Sequence, residues 1–315
     1  MKFLAFPAQV LTEFAASSSV PLAIVLGNFD GVHCGHQALL QEAQKTSKVV
    51  LALTFQPHPV AYLKQQDSFL LTSYEQRADY LAQYGASYLC ALDFAAICKL
   101  SPQEFIAKFL AVLPPPVTLV VGENFHFGYQ QQGTPQTLIE ALPQFKVKVV
   151  PLKKMATTNQ EEMPVSSGRI RQLLREGQMQ AVNLLLGHSY QLQGIVRRGQ
   201  GLARQLNFPT ANLALPPEQL LPPAGVYIST LIYQGQRMEA ISYCGTRPTI
   251  ARNLPPLLET HLLGHNLELY ERFIQVELHL QLRPEFKFDS YSTLQDQITT
   301  DIHQARAWHQ EQIGL

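Results

Sequence analysis

The chain has 315 residues, 46% of them hydrophobic, and its 24 Lys+Arg balance its 24 Asp+Glu to a formal net charge of zero. That length predicts two domains with sizeable cores, and the balanced charge offers no basic stripe for nucleic acid and no lysine-rich tail for a membrane surface. The expectation is a cytoplasmic protein. Met1 to Pro7 does not read as a secretory signal, no apolar run is long enough to span a bilayer, and Cys34, Cys90, Cys98 and Cys244 are scattered, fitting neither zinc nor a disulfide framework.

In chain order, apolar β-rich runs at 22–26, 48–54, 86–92, 117–121 and 146–151 alternate with helical patterns near 35–46, 74–84, 101–111 and 135–141. Ser101-Pro102-Gln103-Glu104 is a capping box with proline at the first helical position, which fixes one helix start. Alternating strands and helices predict βαβ units and a parallel sheet, with ligands beyond the carboxyl ends of its strands. Three unusual segments fall at such ends: Gly27 to His36, Thr54 to Pro59, and Gly122 to Gly128. A polar segment, Lys153 to Glu162, then separates the halves. Ser166-Ser167 is placed to cap a basic amphipathic helix, Arg169 to Arg175, and a second short helix ends at Gly187.

From about His188 the pattern becomes strand-rich. Gly225 to Tyr233 and Arg237 to Cys244 read as a hairpin around Gln234-Gly235. Ile274, Val276, Leu278, Leu280 and Leu282 alternate with polar residues, the mark of a half-buried strand. A stripe of Leu294, Ile298, Ile302, Ala305 and Trp308 forms one face of a closing helix. Strands with one terminal helix predict a small antiparallel barrel.

The glycine-rich bend at 27–36 carries the strongest chemical signal. A strand that feeds such a bend and opens a helix presents free N–H groups and a favourable dipole to an anion. His33 and His36, three apart, share a face of the first turn and can donate to one phosphate. No lysine-bearing P-loop pattern occurs in the chain. Preplaced donors of this kind suit nucleotidyl transfer, where negative charge builds on the α-phosphate and the departing pyrophosphate. His58 lies between Pro57 and Pro59 and reads either as substrate-facing or as a loop histidine that packs. Asn124 reads equally as a ligand-bonding group and as a turn cap. Arg171 reads as a phosphate ligand or as a solvated helix-face arginine.

Four ordered segments resemble the motifs of the bacterial bifunctional riboflavin kinase/FAD synthetases. Gly27-Asn28-Phe29-Asp30-Gly31-Val32-His33-Cys34-Gly35-His36 resembles their form of the His-x-Gly-His signature of nucleotidylyltransferases. Thr54 to Pro59 resembles the second motif, Val121 to Gly128 the third, and Val165 to Arg171 the fourth, with Gly168 where threonine is usual. Phe208-Pro209-Thr210-Ala211-Asn212-Leu213 resembles the flavokinase signature, and Gly245 to Thr249 and Leu258 to His261 complete the kinase resemblance. Leu202 and Ala203, in the segment Gly199 to Arg204, replace the usual arginine and glycine of a phosphate loop, and Glu271 replaces a common glycine.

The resemblance implies a Rossmann-like nucleotidylyltransferase domain with a parallel sheet over 1–186, and an antiparallel β-barrel riboflavin kinase domain with a closing helix over 187–315. It implies that riboflavin is phosphorylated with ATP to FMN, and FMN adenylylated to FAD and pyrophosphate, both with Mg²⁺. His33, His36 and Glu259 would be catalytic, Glu259 as base for the ribityl hydroxyl; a surface glutamate is the plainer reading of that residue. ATP and its phosphates would be held by Gly27, Phe29, Gly31, Gly35, Ser166, Ser167, Arg171, Gly199 and Arg204. Flavin would be held by His58, Asn124 and Arg247, and the metal by Thr210 and Asn212. The implied partners are small molecules, with neither nucleic acid nor membrane; a homo-oligomer is compatible with the sequence. Two other readings are an adenylyltransferase for a pantetheine or alcohol phosphate carrying an inert barrel, and a flavin-binding or storage protein that has lost one or both activities.

Overall fold

The computed structural model describes residues 1–5, 8–15, 21–114, 116–156, 162–198, 208–245, 257–264 and 267–313. Gly199, Arg204 and Arg247 of the expected site lie outside them, as do Leu202 and Ala203. The chain divides into two compact units, Met1–Ser167 and Gly168–Leu315.

The first unit runs β1 (Lys2–Phe3), α1 (Ala8–Ala15), β2 (Leu22–Leu26), α2 (Cys34–Gln44), β3 (Val49–Gln56), α3 (Pro59–Lys64), α4 (Tyr74–Gln83) and β4 (Tyr88–Asp93). It continues through α5 (Phe94–Ile97), α6 (Pro102–Phe105), β5 (Val117–Gly122), α7 (Pro135–Ala141), β6 (Lys146–Val150), β7 (Lys154–Ala156) and β8 (Glu162–Pro164). The Ser101/Glu104 capping box is present, and α6 passes into a π-helical turn at Ile106–Leu110. Among the described residues six parallel strands form one sheet in the order β1-β4-β3-β2-β5-β6. Parallel strands are covered on both faces, so they read as continuous apolar runs. All five residues of β2 are buried. Leu22, Ile24 and Leu26 feed one core, with Phe105 and Phe109; Ala23 and Val25 feed the other, with Leu39, Leu40 and Leu81 of α2 and α4.

Strand order reverses at β2: β3 lies on one side of it and β5 on the other. Open α/β sheets hold ligands in the crevice at such a switch point. The three unusual segments follow β3, β2 and β5, three adjacent strands. The sequence convergence is therefore real in space. The polar segment expected between the halves instead carries β7 and β8, which pair antiparallel.

α8 (Ser167–Arg175) opens at the last residue of the first unit, and the second unit continues with α9 (Met179–Leu186), capped by left-handed Gly187. Then come β9 (Tyr190–Arg197), β10 (Ala211–Ala214), β11 (Gly225–Tyr233), β12 (Gln236–Gly245), β13 (Leu257–Leu262), β14 (Phe273–Pro284) and α10 (Tyr291–Ile313). The six strands close an antiparallel barrel in the order β10-β13-β12-β11-β14-β9. Gln234 and Gly235 make the β11–β12 turn with positive φ at both positions (50° and 78°), as a two-residue hairpin demands.

The alternation in β14 does not keep one face throughout. Its register against β11 shifts twice, at Ile228/Ser229 and at Val226/Tyr227. His279 is the extra residue of the first shift. Ile274, Val276 and Leu278 are fully buried, whereas Leu280 and Leu282 are partly buried and pack with Val226, Ile228 and Ile302. Ile302 and Ala305 of the predicted α10 stripe are buried in that same outer cluster, with Ile298 and Trp308 against it.

Candidate functional sites

The bend after β2 is tied down at every step. Gly27 N–H donates to the Leu53 carbonyl at 3.2 Å, and the Thr54 hydroxyl donates to the Asn28 carbonyl at 3.1 Å. Phe29 (φ 52°), Gly31 (φ 82°) and Val32 (φ 37°) are left-handed. That conformation costs a β-branched residue such as Val32 about 1–3 kcal/mol, and it persists only where the surroundings over-determine it. Phe29 and Val32 are fully buried in the core on one sheet face. The Phe29 ring supports His36, meeting it edge-on at 5.3 Å.

His33 is the N-cap of α2, and its Nδ1 accepts from His36 N–H at 3.3 Å. A neutral ring accepting at Nδ1 carries its proton on Nε2. The two imidazoles stack, centroids 3.6 Å apart and 15° from parallel, so they do share a face. A Cβ at Gly35 would stand 3.1 Å from the His33 ring, which is why glycine lies between them. Burial first, then the nearby His33, Arg77 and His58, hold the His36 imidazole well below the usual range, so it is neutral at pH 7. Its Nδ1 is buried without a hydrogen-bond partner among the described residues.

His58 is buried, N-caps α3 by accepting from Val60 N–H at 3.2 Å, and packs on Phe69 at 5.2 Å. Asn124 is exposed, and its carbonyl accepts from the His126 ring at 2.9 Å. Ser166 is half-buried; the Ser167 hydroxyl donates to the Asp30 carbonyl at 2.8 Å. Arg171, in the second unit, is buried, so it is not a solvated helix-face arginine.

The motif reading overlooked Asp30, Thr72 and Arg77. Asp30 is fully buried, and its carboxylate accepts from Leu71 N–H (3.0 and 3.1 Å), Thr72 N–H (3.1 Å) and the Thr72 hydroxyl (3.3 Å), with Arg77 Nη2 at 3.8 Å. An acidic residue inside a turn was the only sequence signal; its partners lie 41 or more residues on.

On the barrel, Asn212 of β10 and Glu259 of β13 are direct cross-strand partners. Their side chains therefore leave the sheet on one face as neighbours. The His261 ring donates from Nδ1 to the Pro209 carbonyl at 2.8 Å and meets the Phe208 ring edge-on, which holds the Phe208–Thr210 segment against the strand of Glu259. Thr210, Asn212 and Glu259 are thus brought together. Tyr243 of β12 is the next partner of Glu259. Its hydroxyl donates to Glu285, and burial followed by that carboxylate pushes the phenol well above its ordinary range. The hydroxyl and amide oxygens at Thr210 and Asn212 fit a hard cation that also takes phosphate oxygens, with the Glu259 carboxylate beside them.

A family model for riboflavin kinase matches residues 186–309, and one for FAD synthetase matches 16–169. The bifunctional riboflavin kinase/FMN adenylyltransferase of Bacillus subtilis is 30% identical over 308 residues, 95% of each chain. The chain belongs to this family. The Escherichia coli member is 33% identical over 290 residues, 90% of this chain and 91% of that one. A solved Streptococcus pneumoniae structure, described as a macrolide-efflux protein, superposes with TM-score 0.80 at 27% identity, covering 92% of this chain and 95% of that one. No helix among the described residues is long and apolar enough to cross a membrane.

Proposed function

We propose that the chain makes FAD from riboflavin in two ATP-consuming steps, one on each unit. The observation that supports this reading is that stacked imidazoles stand at a sheet switch point in the first unit, and an amide and a carboxylate are cross-strand neighbours on a barrel face in the second. Functionally we assign residues 1–186 to adenylyl transfer and 187–315 to the kinase.

On the barrel, the riboflavin 5′-hydroxyl attacks the γ-phosphorus of ATP, Glu259 takes its proton, and ADP leaves. Thr210 and Asn212 would hold Mg²⁺, which supplies charge neutralisation on the ATP phosphates. A positioned carboxylate base of this kind contributes about 10²–10⁴-fold. On the sheet unit, an FMN phosphate oxygen attacks the α-phosphorus of a second ATP, and the bond to pyrophosphate breaks. His33 and His36 donate to the charge that builds there, and the N-terminal N–H groups of α2 add their dipole. The attacking phosphate is already ionised, so this step needs no strong base. Gly27, Gly31 and Gly35 keep the backbone close to the phosphates; Ser166 and Ser167 add hydroxyls, and His58 and Asn124 border the flavin side. We place the enzyme in the cytoplasm, acting on small molecules without nucleic acid or membrane.

Purified protein incubated with riboflavin, ATP and Mg²⁺, with flavins separated over time, tests the proposal. FMN should appear first and FAD follow. FMN alone would refute the second step, and quenched riboflavin fluorescence without any new flavin would refute both.

A further inference from the structure

The stacked histidines follow a turn closed by one internal backbone hydrogen bond, Val32 N–H to the Phe29 carbonyl at 3.1 Å. Three of the four residues Phe29, Asp30, Gly31 and Val32 have left-handed φ, and Asp30, the fourth, points its carboxylate away into a fully buried nest of donors. We propose that Asp30 is the positioning residue of the adenylyl-transfer site, locking the turn that carries His33 and His36 onto the loop Phe69–Ser73. The proposal rests on the assignment of that site to FMN adenylylation.

The lock has two strands. The Asp30 carboxylate gathers Leu71 N–H, Thr72 N–H and the Thr72 hydroxyl. The same Thr72 oxygen accepts from Gly31 N–H at 3.0 Å, returning the connection to the turn one residue on. The loop is rigid in its own right. Ser73 N-caps α4 in a capping box with Gln76, and Phe69 packs on His58. One loop therefore backs both the histidine turn and the second motif. Arg77, 3% exposed, balances the buried charge. Asparagine is nearly the shape of aspartate but presents an NH₂ where a carboxylate oxygen accepted. Oδ1 takes Leu71 N–H, Thr72 N–H and the Thr72 hydroxyl, while Oδ2 shares only Leu71 N–H; an asparagine with its oxygen at the Oδ1 place therefore sets its NH₂ against Leu71 N–H, and the flipped one sets it against all three donors. Displacing reacting groups by about 1 Å through such a change costs on the order of 10²-fold in rate.

The test compares Asp30→Asn, Thr72→Val and Thr72→Ser, following FMN formation and FAD formation in the same preparations. The expected result for Asp30→Asn is a kcat for FAD formation lower by about a hundredfold, with KM for ATP within about threefold and FMN formation unchanged. Thr72→Val should lose about tenfold, and Thr72→Ser, which keeps the hydroxyl, should restore it. Imidazole ¹⁵N shifts give a second readout. His33 should be held as the Nε2–H tautomer in the wild type and become mixed in Asp30→Asn. If Asp30→Asn proves insoluble, the Thr72 pair decides. Variants within threefold of wild type, or a Thr72→Val loss that serine does not restore, overturn the proposal. A wild-type protein that forms no FAD overturns the functional reading and this inference with it.

Discussion

Acidification should weaken the barrel through one side chain, His279. The bulge in β14 turns this ring outward, where it bonds the Thr230 hydroxyl at 2.8 Å and stacks on Trp308 at 5.0 Å. Burial is the main cause that lowers its pKa from 6.5 to about 4, with His309 and Arg237 adding to it against the opposing pull of Glu277. The folded state therefore disfavours the proton that the unfolded chain accepts. Stability is fully present above pH 6.5 and is lost as pH falls from 6.5 toward 4. At about 1.4 kcal/mol per pKa unit, the loss between pH 7 and pH 5 is about 2 kcal/mol; solvent at the half-buried ring trims this to about 1–2 kcal/mol. Trp308 is the only tryptophan in the chain, so its fluorescence reports on this unit alone. Urea transitions followed by that signal at pH 7 and pH 5 should differ by roughly 0.5–1 M in midpoint for the wild type. His279→Gln should remove most of the difference. An equal difference in the variant, or none in the wild type, would refute the reasoning.

Other outcomes follow from the two sites. His36→Ala should lower FAD formation by about 10²–10³-fold while FMN accumulates, measured by flavin chromatography. Glu259→Gln should abolish FMN formation from riboflavin yet leave conversion of added FMN to FAD intact; loss of both reactions in either folded variant would break the two-site scheme. Gly35→Ala places a methyl 3.1 Å from the His33 ring and should slow the FAD-forming kcat without altering FMN formation. Asp301→Asn breaks the ion pair that ties α10 to Arg283 of β14 (2.8 Å) and should cost the barrel about 3 kcal/mol by urea titration, read at Trp308.

What could be read from the chain, and what could not, follows from the range of the interactions. The bend at 27–36 was legible because its glycines and histidines are local requirements of one turn. The hairpin at Gln234-Gly235 and the cap at Ser101 were legible for the same reason. β1 was not: two exposed residues become a strand only by pairing with β4. α3 was missed because Pro59 reads as a rigid bend, although it also suits a first helical position. Asp30 was missed because its meaning lies in Leu71, Thr72 and Arg77. Thr210, Asn212 and Glu259 carried their resemblance in sequence, but their adjacency comes from the pairing of β10 with β13.

The first of its two added residues gives β14 two allegiances. Up to Leu278 its apolar side chains belong to the barrel lumen; beyond His279 they belong to the terminal helix. Removing residue 279 outright would therefore swap every downstream side chain to the opposite surface, steering Leu280 inward and stranding α10 over glutamine. Evolutionary drift can replace the amino acids of this strand one by one, but it cannot shorten the strand there without discarding the helix.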